Sequence, residues 1–291
     1  MIRSHKLFER EIWFACHAGH TRGFTPNNKH ALHVTLPGIE SSVENKISHV
    51  LQTIWGDNGG ECSIYAALPT LAYTAALAYG AGEEQDVKPF FLALTNMKYD
   101  DFMSIDRLNF LYEAINPATN LFYNDPLLGI LDNSARYWQA SIDEGLCKAL
   151  PVFKRCAKHP TYGYLFRTQQ SLAAFLQIKA GFGVRLRRAY QSQDRAGLTE
   201  CLAECGRMLR LLRRFYSDFR VQWMRENKPH GFDVQDIRIG ALQARIAACQ
   251  RILSEYLNGE VDRIAELEEE ILPYKGYNPR VWTAISTVNN L

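Results

Sequence analysis

The chain has 291 residues, of which 47% are hydrophobic and 22% charged, a composition typical of a folded globular protein and unlike that of a disordered one. Its formal net charge of +2 gives no overall reason to expect nucleic acid or an anionic membrane surface as a partner. No apolar run is long enough to span a bilayer and the start MIRSHKLFER has no hydrophobic signal region, so we expect a cytoplasmic protein.

Two strands and two helices are predicted in the first 80 residues. Residues 11–16 and 49–55 are rich in β-branched and aromatic residues, which favours strands. Residues 28–46 predict a helix interrupted at Pro37, and residues 66–79 predict a more apolar helix. This alternation of strand and helix is typical of a parallel sheet covered by helices on at least one face.

The strand pattern ends near Glu83, and the remaining sequence has helical periodicity. Helices are predicted at about residues 100–114, 131–159 and 162–191. Two longer helices follow, separated by the segment NKPHGF, and the second is expected to stop at Asn258-Gly259. Two long helices joined by a short turn form an antiparallel hairpin, which often nucleates a helical bundle.

The first of these long helices has a clear apolar face. The basic residues Arg207, Arg210, Arg214 and Arg225 fall on the opposite side and are predicted to face solvent, not nucleic acid. The apolar positions recur every three or four residues, at Leu198, Leu202, Cys205, Leu209, Leu212, Tyr216, Phe219 and Trp223.

The cysteines give no metal-binding pattern. None forms a CxxC pair, and although Cys201 and Cys205 lie one helical turn apart, a zinc site would also need a distant histidine. We therefore expect buried thiols, no metal and no cofactor. The seven are Cys16, Cys62, Cys147, Cys156, Cys201, Cys205 and Cys249.

The stretch TIWGDNGGECS follows the second predicted strand and combines an aromatic residue, two carboxylates, an asparagine and three glycines. The glycines permit a backbone that turns back tightly. In α/β barrels the loops after the carboxyl ends of strands hold the groups that contact substrate. A second interpretation of Asp57-Asn58-Gly59 is a tight turn whose side chains bond their own backbone.

Five segments carry a resemblance to a known family. They resemble, in order over nearly the whole chain, the C-terminal half of bacterial exo-β-N-acetylglucosaminidases of glycoside hydrolase family 20. In that branch a (β/α)8 catalytic barrel precedes an all-helical C-terminal domain. The segments are GFTPNN, IWGDNGGECSIYAALPTL, LFYNDPLLGILD, ENKPHGFDVQDIRIGALQARI and YLNGEVDRIAELEEEILPY.

The resemblance implies a mainly α fold with a partial α/β part. Residues 1–82 would be the last two β/α units of a TIM-type barrel, and residues 83–291 an all-α bundle domain. The first six barrel strands would lie upstream of residue 1. The resemblance thus predicts a truncated or split β-N-acetylhexosaminidase-like protein.

The same resemblance predicts that the chain alone is inactive. In this family the substrate's own acetamide attacks the anomeric carbon, while an Asp-Glu pair on an earlier strand orients it and protonates the leaving oxygen. That pair would precede residue 1. The one Asp-Glu dipeptide here, Asp143-Glu144, lies in a predicted helix and is interpreted as solvated helix surface.

Substrate-binding residues are predicted in the loop within the stretch TIWGDNGGECS. The resemblance places Trp55 as an apolar wall and Asp57, Asn58 and Glu61 where the family grips the outer hydroxyls of a terminal N-acetylhexosamine. The segment ACHAGHTRGF departs from the family, because it lacks the tryptophans that stack on the sugar ring. We therefore expect weak sugar binding.

His17 and His20 lie in that departing segment and are possible additional site residues. If both histidines act as ligands or acid/base groups together with Asp57 and Glu61, the chain would be a new enzyme. If they are ordinary loop histidines, they have no role in chemistry. A further alternative is a non-catalytic sugar-binding or protein-interaction module derived from the family. These alternatives remain open from the sequence.

Association is also predicted from the strands. Two barrel strands without their neighbours expose unpaired backbone groups at their edges. We expect them to pair within a homodimer or with a complementing upstream barrel half, and we expect neither nucleic acid nor membrane as a partner.

Overall fold

The computed structural model describes residues 2–18, 22–80 and 83–271. The chain divides into two compact units, Met1–Asp106 and Arg107–Leu291. The sequence-based division after residue 82 stays a prediction. Within the described ranges, no helix is both long and apolar enough to cross a membrane.

The first unit contains a small parallel sheet and several helices. Strands β1 and β2 pair in parallel, with Trp13 opposite His49 and His17 opposite Thr53, so the predicted strand–helix–strand arrangement is confirmed. The elements are α1 (Ile2–Lys6), β1 (Trp13–His17), α2 (Asn28–Glu44), β2 (His49–Thr53), a 3-10 turn (Ile64–Ala67), α3 (Leu68–Ala78), α4 (Glu84–Thr95) and α5 (Tyr99–Met103). A 3-10 segment (Ser104–Phe110) follows, and its residues from Arg107 onward belong to the second unit.

Helix α2 runs through Pro37 without a break, so the predicted interruption is wrong. Proline cannot donate to the carbonyl four residues earlier, but Pro37 lies on the exposed side of α2, where water can satisfy that carbonyl. Gly38 has a packing role instead. A Cβ at this position would overlap the ring of Phe14 on β1, so the glycine lets the helix approach the strand closely.

A buried polar network fixes the N-terminus of α2. The side-chain amide of Asn28 donates to the Ala66 carbonyl at 2.8 Å and to Asp106 Oδ1 at 2.9 Å, and its oxygen accepts from Thr70 Oγ1 at 2.8 Å. The backbone amide of Lys29 donates to Asp106 Oδ2 at 2.8 Å. The network therefore joins α2, the start of α3 and the 3-10 segment.

Within its described residues the second unit contains helices and no strand, which confirms the mainly α prediction. Its elements are α6 (Pro117–Tyr123), α7 (Asp132–Tyr137), α8 (Gln139–Cys156), α9 (Gly163–Lys179), α10 (Phe182–Gln191), α11 (Arg195–Glu226), α12 (Phe232–Asn258) and α13 (Ala265–Glu268).

The predicted helical hairpin is formed by α11 and α12, which contact each other along their length. Gly231, with φ of +95°, precedes α12, and Gly259, with φ of +77°, caps its end as predicted. The buried face of α11 is wider than the predicted stripe, since α11 also contacts α9. Met208 and Phe215 are fully buried there, whereas Leu202, Leu209 and Tyr216 of the predicted stripe are only half-buried.

The arginine face of α11 is exposed, as predicted. Arg207 lies 3.5 Å from Glu204 and Arg214 lies 2.9 Å from Asp218, both within the same helix. Arg225 lies over the ring of Tyr164 at 4.6 Å. These contacts are those of a solvated helix surface.

The three shorter helix predictions are wrong in extent. Residues 100–114 are only partly α-helical, and the other two predicted helices are each divided, at Trp138 and at Ala180-Gly181. At Gly181 the Gln139 side chain packs against the backbone, and its Oε1 would lie 2.5 Å from an added Cβ. Helix α6 was not predicted, because all its residues are buried and the amphipathic signal is absent.

Charged groups lie inside the second unit. The amine of Lys179 is buried and donates to the carbonyls of Leu121 and Asn124, and burial lowers the pKa of Lys179 to about 8. Burial raises the pKa of Asp132 to about 6. The side-chain amide of Asn124 donates to Asp132 Oδ1 at 2.7 Å, and this hydrogen bond opposes the rise. Asp125 is bound by the guanidinium of Arg245 through two hydrogen bonds of 2.6 and 3.0 Å.

Candidate functional site

The loop that follows β2 is built by a tight backbone turn. The Gly60 amide donates to the Gly56 carbonyl at 3.2 Å. Three consecutive residues, Asn58, Gly59 and Gly60, have φ values of +59°, +100° and +62°, in the left-handed region that favours asparagine and glycine. The turn interpretation therefore accounts for Asn58 and the glycines. Whether Asn58 also contacts a ligand stays a prediction.

Trp55 stands at the beginning of this loop with 55% of its surface exposed. Its indole Nε1 donates to Thr53 Oγ1 at 2.7 Å, and the Thr53 hydroxyl in turn donates to the Cys16 carbonyl at 2.9 Å. These bonds hold the indole at the end of β2 while more than half of the residue's surface is open to solvent. The residue is placed where an apolar wall could pack against a ligand.

Asp57 points toward the loop that follows β1. Its Oδ2 lies 3.9 Å from Nε of Arg22, and both side chains are partly exposed. Arg22 was missed from the sequence, although its position shortly after the first strand was an available signal, since loops at the carboxyl ends of parallel strands lie side by side. The pair brings an acceptor and a donor together beside the ends of β1 and β2.

Glu61 is deeply buried, with 1% of its surface exposed. Its prediction as an acceptor for sugar hydroxyls required a group within reach of solvent. The structure buries this carboxylate at the end of the loop, whereas Asp57 and Trp55 are more open, and the role of Glu61 as an acceptor stays a prediction.

His17 is the last residue of β1 and is half-buried. Its ring lies 6.1 Å from the ring of His30 on α2, centroid to centroid. Burial, and then the charge of His30, lower the pKa of His17, which favours a neutral imidazole at neutral pH. The other candidate histidine, His20, lies outside the described residues.

The cysteines are free thiols, and five of the seven are buried. Cys62 is half-buried and Cys147 is exposed, so the prediction of burial is wrong for Cys147. Cys205 Sγ lies 4.0 Å from Cys249 Sγ, and burial raises the pKa of Cys201 to about 12, which disfavours the thiolate that a metal would need. In the described part of the chain, no cluster of three or more histidine, cysteine or acidic side chains could hold a metal ion.

Asp143 and Glu144 lie on the exposed surface of α8. Asp143 accepts a hydrogen bond of 2.8 Å from the Gln139 side chain, and Glu144 pairs with Lys148 one turn along the helix. The prediction that this dipeptide is solvated helix surface is confirmed.

Comparison with known families identifies the helical part of the chain. Residues 91–285 match the family model described as the glycoside hydrolase 20C C-terminal domain. A search of curated proteins finds no match. The matched region covers α5 through α13, and its helical structure agrees with the domain that the resemblance implied. The chain therefore belongs to the glycoside hydrolase 20C C-terminal domain family.

Proposed function

We propose that this chain is the C-terminal part of a family 20 β-N-acetylhexosaminidase-like protein, and that its loop after β2 helps to bind a terminal N-acetylhexosamine. The observation that carries the proposal is the position of Trp55 and Asp57 at the carboxyl end of a parallel strand, ahead of a family 20C C-terminal domain. In barrels of parallel strands, that end is where substrate is bound.

The loop offers complementary contacts for a pyranose. Asp57 can accept hydrogen bonds from two vicinal hydroxyls, and the Arg22 guanidinium can donate to a ring substituent. Trp55 offers an apolar face to the ring hydrogens. Asn58, Glu61, His17 and His20 are further candidate residues of this site.

Catalysis requires an acid/base pair that the loop does not supply. We propose that the chain is a truncated or split form of the enzyme, whose remaining barrel strands, with their Asp-Glu pair, come from a complementing half or from residues outside the sequence in hand. The surface character of Asp143 and Glu144 supports this proposal, because both side chains bond to residues of their own helix, Gln139 and Lys148.

The small sheet supports the proposal of a partner. Among the described residues the sheet has only two strands, and it exposes large apolar side chains at Trp13, Leu51 and Ile54. Exposed edges and apolar faces of this kind favour pairing with further strands. We propose that a complementing barrel half or a second copy of the chain covers them.

Seven free cysteines support a reducing, cytoplasmic location.

Turnover of a chromogenic β-N-acetylglucosaminide by the purified chain tests the proposal. We expect no hydrolysis above that of a mock purification, since loss of a general acid alone costs about a hundred- to ten-thousand-fold in rate. Turnover that is retained in the wild type and abolished by Glu61→Gln would contradict the proposal and favour a new enzyme. Absence of turnover together with absence of sugar binding would favour a protein-interaction module.

A further inference from the structure

A groove on the surface of the helical unit is distinct from the loop after β2. It has a volume of about 330 Å³, at the small end of the range for small-molecule sites. Two short stripes of residues line it, one from the 3-10 segment Ser104–Phe110 and one from α8. The lining residues are Arg107, Phe110, Ser141, Glu144, Gly145 and Lys148.

The first stripe follows from the geometry of a 3-10 helix. Side chains three residues apart lie one above the other in such a helix, so Arg107 and Phe110 share one face. Leu108 and Leu111 occupy the other face and are fully buried. The anchoring of these leucines therefore directs the Phe110 ring outward, where half of its surface is exposed.

The second stripe lies beside the buried face of α8. Ser141, Gly145 and Lys148 recur at helical spacing, and the Ser141 hydroxyl donates to the Leu111 carbonyl at 2.7 Å, which ties the two walls together. A Cβ at Gly145 would lie 2.8 Å from Leu111 Cδ2, so the glycine allows the two walls to approach closely at the floor of the groove.

The chemistry of the groove suits a neutral sugar. Phe110 presents an apolar ring face, Arg107 presents donors, and Glu144 presents acceptor oxygens beside Lys148. Arg107 contributes the N–H donors of its guanidinium to the lining. Glu144 and Lys148 neutralise each other, so Arg107 is the one uncompensated charge of the lining, and a single cation attracts a polyanion only weakly.

We propose that this groove is a second, non-catalytic binding site for a β-linked N-acetylhexosamine disaccharide, with Phe110 packing against a ring face and Arg107 donating to an acetamide or hydroxyl oxygen. The inference rests on the proposed function only for the choice of sugar. The site lies wholly within the helical unit and uses none of the residues of the loop after β2.

Selective labelling separates the two sites experimentally. The full chain is labelled with ¹⁵N-phenylalanine and ¹⁵N-tryptophan, and the signals of Phe110 and Trp55 are assigned by their loss in Phe110→Ala and Trp55→Ala. Titration with N,N′-diacetylchitobiose should shift the Phe110 amide saturably, in the wild type and equally in Asp57→Asn. The exposed aromatic Tyr137, on the same unit but outside the groove, provides the matched control Tyr137→Ala.

Substitutions in the groove should change its affinity for the disaccharide by defined factors. Because Phe110→Ala removes the reporting amide, its effect is measured by calorimetry in the Asp57→Asn background, where we expect affinity for the disaccharide to fall about three- to tenfold. Arg107→Ala should weaken the Phe110 titration by a similar factor, and Tyr137→Ala should leave it unchanged. Shifts at Trp55 without shifts at Phe110 would overturn this inference and leave the proposed function standing. A Phe110 response to a polyanion such as heparin, but not to the disaccharide, would also overturn it.

Discussion

Asp106 illustrates how burial controls a carboxyl group in this chain. Burial raises its pKa to about 7, although the Lys29 amide and the Asn28 side chain both donate to it. The folded chain therefore holds the Asp106 proton more tightly than the unfolded chain, whose aspartate has the ordinary pKa of 3.8. Because the unfolded state releases this proton first, the free energy of unfolding falls as the pH rises between these two values.

We predict that Asp106→Asn reduces the pH dependence of stability. The wild type should lose roughly 1.4 kcal/mol per pH unit from this group as the pH rises from about 5 to about 7. The asparagine variant should be less stable at acidic pH, since its amide cannot accept from both donors, but its stability should change less with pH. Urea unfolding at several pH values measures both slopes. The exposed Asp100→Asn is the control, and equal slopes in wild type and Asp106→Asn would refute the assignment.

Gly38 provides a second prediction, on packing. In Gly38→Ala the new methyl group would overlap the Phe14 ring, whose Cε1 and Cε2 would lie 2.8 Å from it, so we expect a loss of about 1–3 kcal/mol from overpacking. This loss exceeds the gain in helix propensity of about 1 kcal/mol. Gly240→Ala is the matched control, because Gly240 is exposed on α12 with open space around it, and it should be neutral or stabilising. Chemical denaturation of both variants decides the sign.

For single residues, the sequence could predict local conformation but not contacts between residues that are distant in the chain. The left-handed turn at Asn58 and Gly59 was open to prediction because a turn is local. The contact of Arg22 with Asp57, the burial of Glu61 and the bond between Asn28 and Asp106, 78 positions apart, depend on the fold. No local pattern carries that information.

Among the elements, amphipathic periodicity was the reliable signal. It located the hairpin of α11 and α12, whereas the two strands were located by their β-branched and aromatic residues. Periodicity failed where a helix is buried all round, as in α6. The expectation that proline interrupts a helix failed at Pro37, because its exposed position lets water satisfy the carbonyl that loses its donor. The breaks at Trp138 and Gly181 were missed because apolar residues continue across them.

Arg187 on α10 connects elements that are distant in sequence. Its guanidinium donates to backbone carbonyls of two segments, one after α6 and one around α13, and the side chain is largely buried. The accepting carbonyls are those of Leu127, Leu128, Glu266, Leu267 and Glu269. Arg187 thus provides hydrogen-bond donors to backbone carbonyls in both segments.

We predict that Arg187→Met destabilises the helical unit by at least about 2 kcal/mol, because several buried carbonyls lose their donors. The neighbouring Arg188 is exposed, and Arg188→Met should change stability by less than about 0.5 kcal/mol. Guanidinium unfolding followed by circular dichroism compares the two variants. Equal stability of Arg187→Met and wild type would show that water replaces the guanidinium without cost.

For the whole molecule, the two units carry different expectations for association. The first unit contains the two-stranded sheet with exposed apolar side chains, and the second buries its apolar stripes among its own helices. We predict that the full chain self-associates, most simply as a dimer, and that a chain of residues 107–291 is a folded monomer. Light scattering on both chains measures this. A monomeric full chain with slow amide exchange in β1 and β2 would contradict the prediction.

Titration of the full chain with N-acetylglucosamine, observed at the indole signal of Trp55, tests the central claim most directly. We predict a weak, saturable shift that is larger than the shift caused by glucose, and an affinity about tenfold lower in Asp57→Asn, since a hydrogen bond to a charged group is lost. Asp100→Asn, which removes another exposed carboxylate of the same unit, should bind like the wild type. An unchanged Trp55 signal, or an equal response in wild type and Asp57→Asn, would contradict the assignment of this loop to sugar binding.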